Sequence, residues 1–219
     1  MEQSSRKDTR AALIEAAERL LATRGFGGVT AVEITKEASA RNTSAVRYHF
    51  GNMENLIRAV FESRLEALDS YRMKRLSALD KDGRGYNLYD LVDLIMHPLM
   101  EACDHASGRR YALILSQLTT DPRFDFEEWA GDHEPKSLAM IKDRMQRCLG
   151  DLPPTILSAR LRRLNIVAAG LLADYARQVE KGAAPNVGEA TDEVTVALAA
   201  FLAAPIAPPD VNPIAGPSN

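Results

Sequence analysis

Cysteine is scarce in this chain, with two in 219 residues. Cys103 and Cys148 lie too far apart for a C-x-x-C metal or redox framework, and no base is identifiable beside either, so both read as structural thiols, reduced in a cytoplasmic protein. Long apolar runs are also missing. The stretch Ile166–Ala173 spans eight residues, where a bilayer crossing takes about 20, so no membrane span is expected. The opening MEQSSRKDTR has no apolar core behind its basic residues, which excludes a secretory signal. Enzyme signatures are lacking too. GFGG at 25–28 follows no strand and has the wrong glycine spacing for a dinucleotide fingerprint, and there is no G-x-S-x-G, no phosphate-binding G-K-[ST] loop and no H-E-x-x-H. No enzymatic activity and no cofactor are implied.

Nor is there a large excess of one charge. The net charge of −3 argues against a uniformly basic nucleic-acid binder. Its distribution is uneven: residues 1–52 hold 8 Lys/Arg against 6 Asp/Glu, and the remainder 19 against 24, which puts the positive end at the N-terminus. What is present is an ordinary globular composition, 46% hydrophobic and 26% charged, in a length suited to one large or two modest domains.

Alanine and leucine abound, and apolar residues recur at three- and four-residue spacing, so the fold class is all-α. A first helix is predicted after Ser5, with Asp8 completing a capping-box-like pattern, and it ends at Gly25. Thr30 and Glu33 form a T-x-x-E box that opens a second, short helix. The segment Ser39-Ala40-Arg41 breaks it, and Asn42 or Thr43 caps a third helix running to Phe50 and ending at Gly51. Asn52 caps a fourth, expected to continue to about Leu79 because neither proline nor glycine interrupts it. Further helices are expected at about 88–106, 109–119, 135–149, 154–181 and 189–204. Pro135, Pro153 and Pro154 suit first turns, whereas Pro98 should kink or split its helix. The proline-rich segment 205–219 reads as a disordered tail.

Helix two (Ala31–Ala38), a tight break and helix three (Thr43–Phe50) have the spacing of a helix-turn-helix. Val32, Ile34 and Ala38 are expected to face inward with Val46 and Phe50, which leaves Asn42, Thr43, Ser44, Ala45, Arg47, Tyr48 and His49 partly outward. A short exposed helix with small residues, hydroxyls, an arginine, a tyrosine and a histidine suits the DNA major groove. Small side chains permit close approach, Arg forks onto guanine, and hydroxyls and imidazole reach phosphates. No acidic residue lies between Ala38 and Phe50 to oppose this.

The stretch from Thr9 to Phe61 resembles the DNA-binding domain of the tetracycline-repressor (TetR) family. The resemblance rests on the first-helix AAxxLxxxxG pattern (Ala16 to Gly25), Arg24-Gly25-Phe26, Thr30 before the Val32-x-Ile34 pair, Glu37-Ala38, and YHFGNxENL from Tyr48 to Leu56. It implies an all-α homodimer with a homeodomain-like three-helix head over residues 6–52, extending into the linking helix to about 67, and an effector-binding and dimerisation domain over 53–204. Carried over by position, Thr30 touches phosphate, Thr43, Ser44, Ala45 and Arg47 meet base edges, Tyr48 and His49 clamp the backbone, and Asn52 offers its amide to a phosphate. Arg6, Lys7 and Arg10 would reach the adjacent backbone or minor groove. The implied partners are a double-stranded DNA operator and a small-molecule effector. This chain departs from the family in two places. The turn through Ser39 and Asn42 is one residue longer than the commonest form and lacks its glycine, so one of those two must take the tight conformation. Met53 stands where a lysine is usual, which removes one expected phosphate contact.

Helices at about 154–181 and 189–204 are the expected dimer interface. Ile156, Leu157, Leu161, Leu164, Val167, Ala168, Leu171 and Leu172 form a broad apolar stripe on one. Ala197, Ala200, Ala203 and Ala204 permit close approach on the other, in a four-helix bundle. Effector-pocket residues are sought among Met96, Met100, Tyr111, Leu115 and Leu118, and among Phe124, Phe126, Trp129 and Met140, because methionine and aromatic side chains line adaptable cavities as well as cores. Their ligand is expected to be largely apolar. His97, Glu101 and His105 recur at i, i+4, i+8 near Cys103, a spacing that suits a metal or, more commonly, a solvated face; no metal site is assigned. Two other functions stay open: an all-α ligand- or metal-binding enzyme, and an architectural DNA-binding protein without an effector.

Overall fold

A computed structural model of the chain describes residues 2–40, 42–83, 85–124, 134–150 and 152–206, with side chains from Asp8 onward. Regular structure among the described residues is helical throughout: α1 Glu2–Arg24, α2 Ala31–Glu37, α3 Ala45–Phe50, α4 Met53–Glu62, α5 Leu65–Asp82, α6 Leu88–Ala102, α7 Ala106–Leu118, α8 Lys136–Cys148, α9 Pro154–Glu180 and α10 Val187–Ala203. No helix among them is long and apolar enough to cross a membrane. Residues 207–219, most of the expected tail, lie outside the described residues.

Local chemistry sets most of the boundaries. Gly25 (φ +74) closes α1 in the left-handed region, where its N–H donates to the Leu21 carbonyl at 2.9 Å. Thr30 caps α2 with a reciprocal capping box: Glu33 N–H donates to Thr30 Oγ1 at 3.3 Å and Thr30 N–H to Glu33 Oε2 at 2.9 Å. Pro135 and Pro153 stand at the N-caps of α8 and α9, with Pro154 in the first turn of α9. One expected start is corrected. α1 already runs from Glu2, so Ser5 does not cap it; no proline or glycine precedes Ser5 to stop the helix propagating another turn.

The predicted single helix from Asn52 to Leu79 is in fact two. α4 ends at Glu62 and α5 begins at Leu65. The Ser63 hydroxyl donates back to the Val60 carbonyl at 2.7 Å, and the Arg64 guanidinium is drawn to Glu18 of α1 at 3.0 Å. A side-chain bond to the preceding turn and a tertiary ion pair therefore bend the chain where no helix-breaking residue exists. Pro98 does not split its helix, because α6 runs through it from Leu88 to Ala102. It has no N–H to give the Leu94 carbonyl, and Arg72 Nε donates to that oxygen at 3.3 Å instead.

Packing joins these elements into one body. α1 lies against α2, α4 and α7, and α3 against α2 and α4. α7 in turn packs on α9, α9 on α10, and α10 on α6, while α5 is held between α6 and α8. The N-terminal three-helix unit is thus seated on α7 through its first helix. Glu18 of α1 is only 5% exposed and accepts from Arg64 at 3.0 Å and Arg110 at 2.9 Å, so one buried carboxylate joins α1, the α4–α5 bend and α7.

Candidate nucleic-acid interface and internal cavity

The head is built on Leu13, Ala16, Ala17, Leu21, Ile34, Val46 and Phe50, all buried. Two ion pairs fasten α2 across α1: Arg24 to Glu33 at 2.8 Å and Arg19 to Glu37 at 3.1 Å. The bonds from Arg24 and then from Thr30 hold the Glu33 carboxyl down at about 2, well below the usual carboxylate range. Of the two residues that could take the strained turn, it is Ser39 that does, at φ +53. Ala40 N–H then donates to the Thr35 carbonyl at 3.1 Å, as in a Schellman closure. Asn42 shapes the other side, its Oδ1 accepting from Ser44 N–H at 2.9 Å. It is not the helix cap; α3 starts two residues later than expected, at Ala45 with Ser44 as N-cap. Beyond Gly51, Asn52 Oδ1 accepts from Asn55 N–H at 2.8 Å and Asn55 Nδ2 donates to the Phe50 carbonyl at 2.8 Å, which fixes the α3–α4 corner.

Thr30, Asn42, Thr43, Ser44, Arg47, Tyr48 and Asn52 are exposed and His49 half-buried. Ser44, Arg47 and Tyr48 fall at i, i+3 and i+4, which puts them on one face of α3. Tyr48 is 59% exposed and meets the His49 ring edge-on at 5.0 Å. The Arg10 guanidinium stands 5.0 Å over the Phe50 ring. Two expected placements are corrected. Ala45 is 4% exposed: the first turn of α3 directs it into the head's core, away from any base edge. Val32 is 61% exposed; the core positions go to Val29 and Ile34, since residues two apart on a helix cannot share a face.

Beyond the head, α4 to α9 line a partly open cavity of about 140 Å³. Its wall includes Phe61 at the end of α4, Leu65 at the start of α5, Tyr111 and Leu115 on α7, and Leu161 and Leu164 on α9. Met96, Tyr111 and Leu115 of the expected pocket residues line it. Met100 and Leu118 do not; they are buried in the core. Met140 and Phe124 are half-buried away from the wall, and Phe124 packs edge-on against Phe26 of the head, ring centres 5.1 Å apart. Phe126 and Trp129 lie outside the described residues. Sequence reasoning missed Arg72, which stands on the cavity wall yet is 3% exposed. It was legible only as one more charged residue on a long helix.

His97, Glu101 and His105 do not share a helical face. α6 stops at Ala102, and His105 is the N-cap of α7. His97 lies between Asp93 and Glu101, at 3.3 Å from each, and stacks on Tyr71. No group of three such side chains that could hold a metal occurs among the described residues. Cys103 is buried, and burial pushes its thiol up to about 12, while Cys148 is exposed; both are free.

Residues 13–60 match the family model described as bacterial regulatory proteins, tetR family. Among solved structures, a TetR family transcription regulator from Marinobacter aquaeolei VT8 is similar in fold, with a TM-score of 0.52 at 16% identity over 92% of this chain and 98% of that one. No curated protein matches the sequence. Residues 13–60 thus form a tetR-type DNA-binding head, and the chain as a whole has the all-α fold of a TetR family transcription regulator.

Proposed function

We propose that the protein is a ligand-responsive homodimeric repressor that binds a palindromic operator in the cytoplasm, and that it is not an enzyme. The observation that carries this reading is the exposed row of Ser44, Arg47 and Tyr48 on α3, flanked by Thr43 and by the α2 and α4 N-termini at Thr30 and Asn52. Arg47 and the hydroxyls of Thr43 and Ser44 take the base-reading role; Thr30, Tyr48, His49 and Asn52 take phosphates. Selection from random duplex DNA tests it: a palindrome should emerge, with half-sites one helical turn, ~34–36 Å, apart. Failure to enrich any sequence at low ionic strength rejects the reading.

Dimerisation is supported by the outer faces of α9 and α10. Leu157, Leu164 and Leu172 of the expected stripe are buried within the subunit, but Ile166 and Val167 on α9 remain exposed, as do Val196, Ala197, Ala200 and Ala203 on α10. A Val196→Glu substitution should yield monomers in size-exclusion chromatography and abolish operator binding.

The cavity favours an effector over a purely architectural role. Its wall spans the α4–α5 bend through Phe61 and Leu65, and the Tyr111 hydroxyl donates to the Phe61 carbonyl at 3.1 Å. Arg64, within the bend, holds Glu18 of α1. A ligand that displaces these groups would move a joint rather than swing a rigid rod, and ~1–3 kcal/mol of coupling suffices to release DNA. Identical distances between spin labels on the two α3 helices, with and without ligand, would reject the switch.

A further inference from the structure

The cavity wall carries two cations of different kinds. Lys142 is ion-paired with Glu134, also on the wall. Arg72 has no carboxylate within ion-pair distance among the described residues, although it is almost fully buried. Asp69, one turn earlier on α5, is engaged elsewhere, accepting from Ser137 N–H at 2.8 Å. The Arg72 guanidinium is held by two neutral acceptors: the Leu94 carbonyl, at 3.3 Å from Nε, and the Ile95 carbonyl, at 3.5 Å from a terminal nitrogen. The first of these is the oxygen that Pro98 leaves without its helical donor. The head group is therefore oriented by neutral acceptors, and Asp69 acts on its charge only from beyond ion-pair distance. Burial lowers its pKa to about 10, so it is fully charged at neutral pH.

A buried cation facing an apolar cavity is costly unless an anion completes it. We propose that the cavity takes a small amphipathic carboxylate, its apolar body against Leu65, Ile95, Leu99, Leu115 and Leu164 and its carboxylate paired with Arg72. This rests on the effector reading above and adds the chemical class of the ligand. The volume of about 140 Å³ is close to that of an engineered cavity that admits one benzene ring, ~150 Å³, so a single ring or short branched chain fits. A phosphate ester, with nearly two charges, would leave one charge unmatched against a single guanidinium. The Asn165 side-chain amide, also on the wall, supplies a neutral hydrogen-bonding partner.

The test is calorimetric titration of the full chain, without DNA, using benzoate and cyclohexanecarboxylate against their neutral amides. The carboxylates should bind at least tenfold more tightly than the amides. Arg72→Gln should erase that preference, and Arg72→Lys should retain part of it. Equal binding of acid and amide, a preference that persists in Arg72→Gln, or no binding of any of the four at millimolar concentration would each overturn the proposal. The acid–amide comparison on the unaltered protein decides the matter even if both variants fail to fold. DNA selection on the same preparation separates this failure from failure of the regulator reading.

Discussion

Glu18 and Arg64 lie 46 residues apart in sequence, yet their side chains meet at 3.0 Å between the first helix of the head and the bend that leads into the body. Arg110 occupies the other carboxylate oxygen at 2.9 Å. Both arginines keep about a third of their side-chain surface or less in solvent, and Glu18 keeps 7%. A three-way charge contact thus joins the head to the body beside the packing of α1 on α7 and of Phe26 on Phe124, where no continuous helix does so.

Glu18→Gln should destabilise the protein by about 2–3 kcal/mol in denaturant unfolding. That is below the ~3–5 kcal/mol typical of a broken buried pair, because water still reaches the two arginines. It should also loosen the head, seen as faster amide exchange in α1 at the α7 contact.

Ser39 offers a gain. Its left-handed conformation costs a residue with a Cβ roughly 1–2 kcal/mol, so Ser39→Gly should raise stability by up to about 1 kcal/mol once the added freedom of the unfolded chain is deducted. The midpoint of chemical denaturation checks it, with an unchanged slope.

On the DNA side, Arg47→Ala should weaken specific binding by about 1–3 kcal/mol and relax preference at one base position. Tyr48→Phe should weaken all sequences alike, with preference unchanged. A uniform loss for Arg47→Ala would reassign it to phosphate.

Acid should unfasten α2. The Glu33 carboxyl titrates at about 2 in the folded protein against an ordinary value of 4.5. A folded pKa lowered in this way contributes stability that is complete above the unfolded value and drains away as pH falls from about 5 toward 2. Glu33→Gln should flatten that part of the stability–pH curve, measured by thermal unfolding at successive pH values.

What could be read in advance was what neighbouring residues decide. The Thr30–Glu33 cap, the stop at Gly25 and the amphipathic first helix depend on contacts three or four residues apart, and the sequence displays these directly. The bend at Ser63-Arg64 could not be read there, because it depends on Glu18, far upstream. Val32 was misplaced by treating every apolar residue of a seven-residue helix as inward, although Val32 and Ile34 point to different sides. Ala45 looked like a surface residue because it follows the polar run Asn42-Thr43-Ser44, yet the first turn of α3 places it in the core beside Val46. Arg72 was hidden for the opposite reason: charge normally signals solvent, and only the missing donor at Pro98 explains why this arginine is inside.

The charge contact at Glu18 also bears on how such proteins can be recombined. A chimera cut after Phe50, or even after Gly51, would strand the acidic member of the trio without both of its basic partners. Transplanting this head onto another body would therefore require carrying the Arg64 bend and the matching face of α7 along with the first three helices.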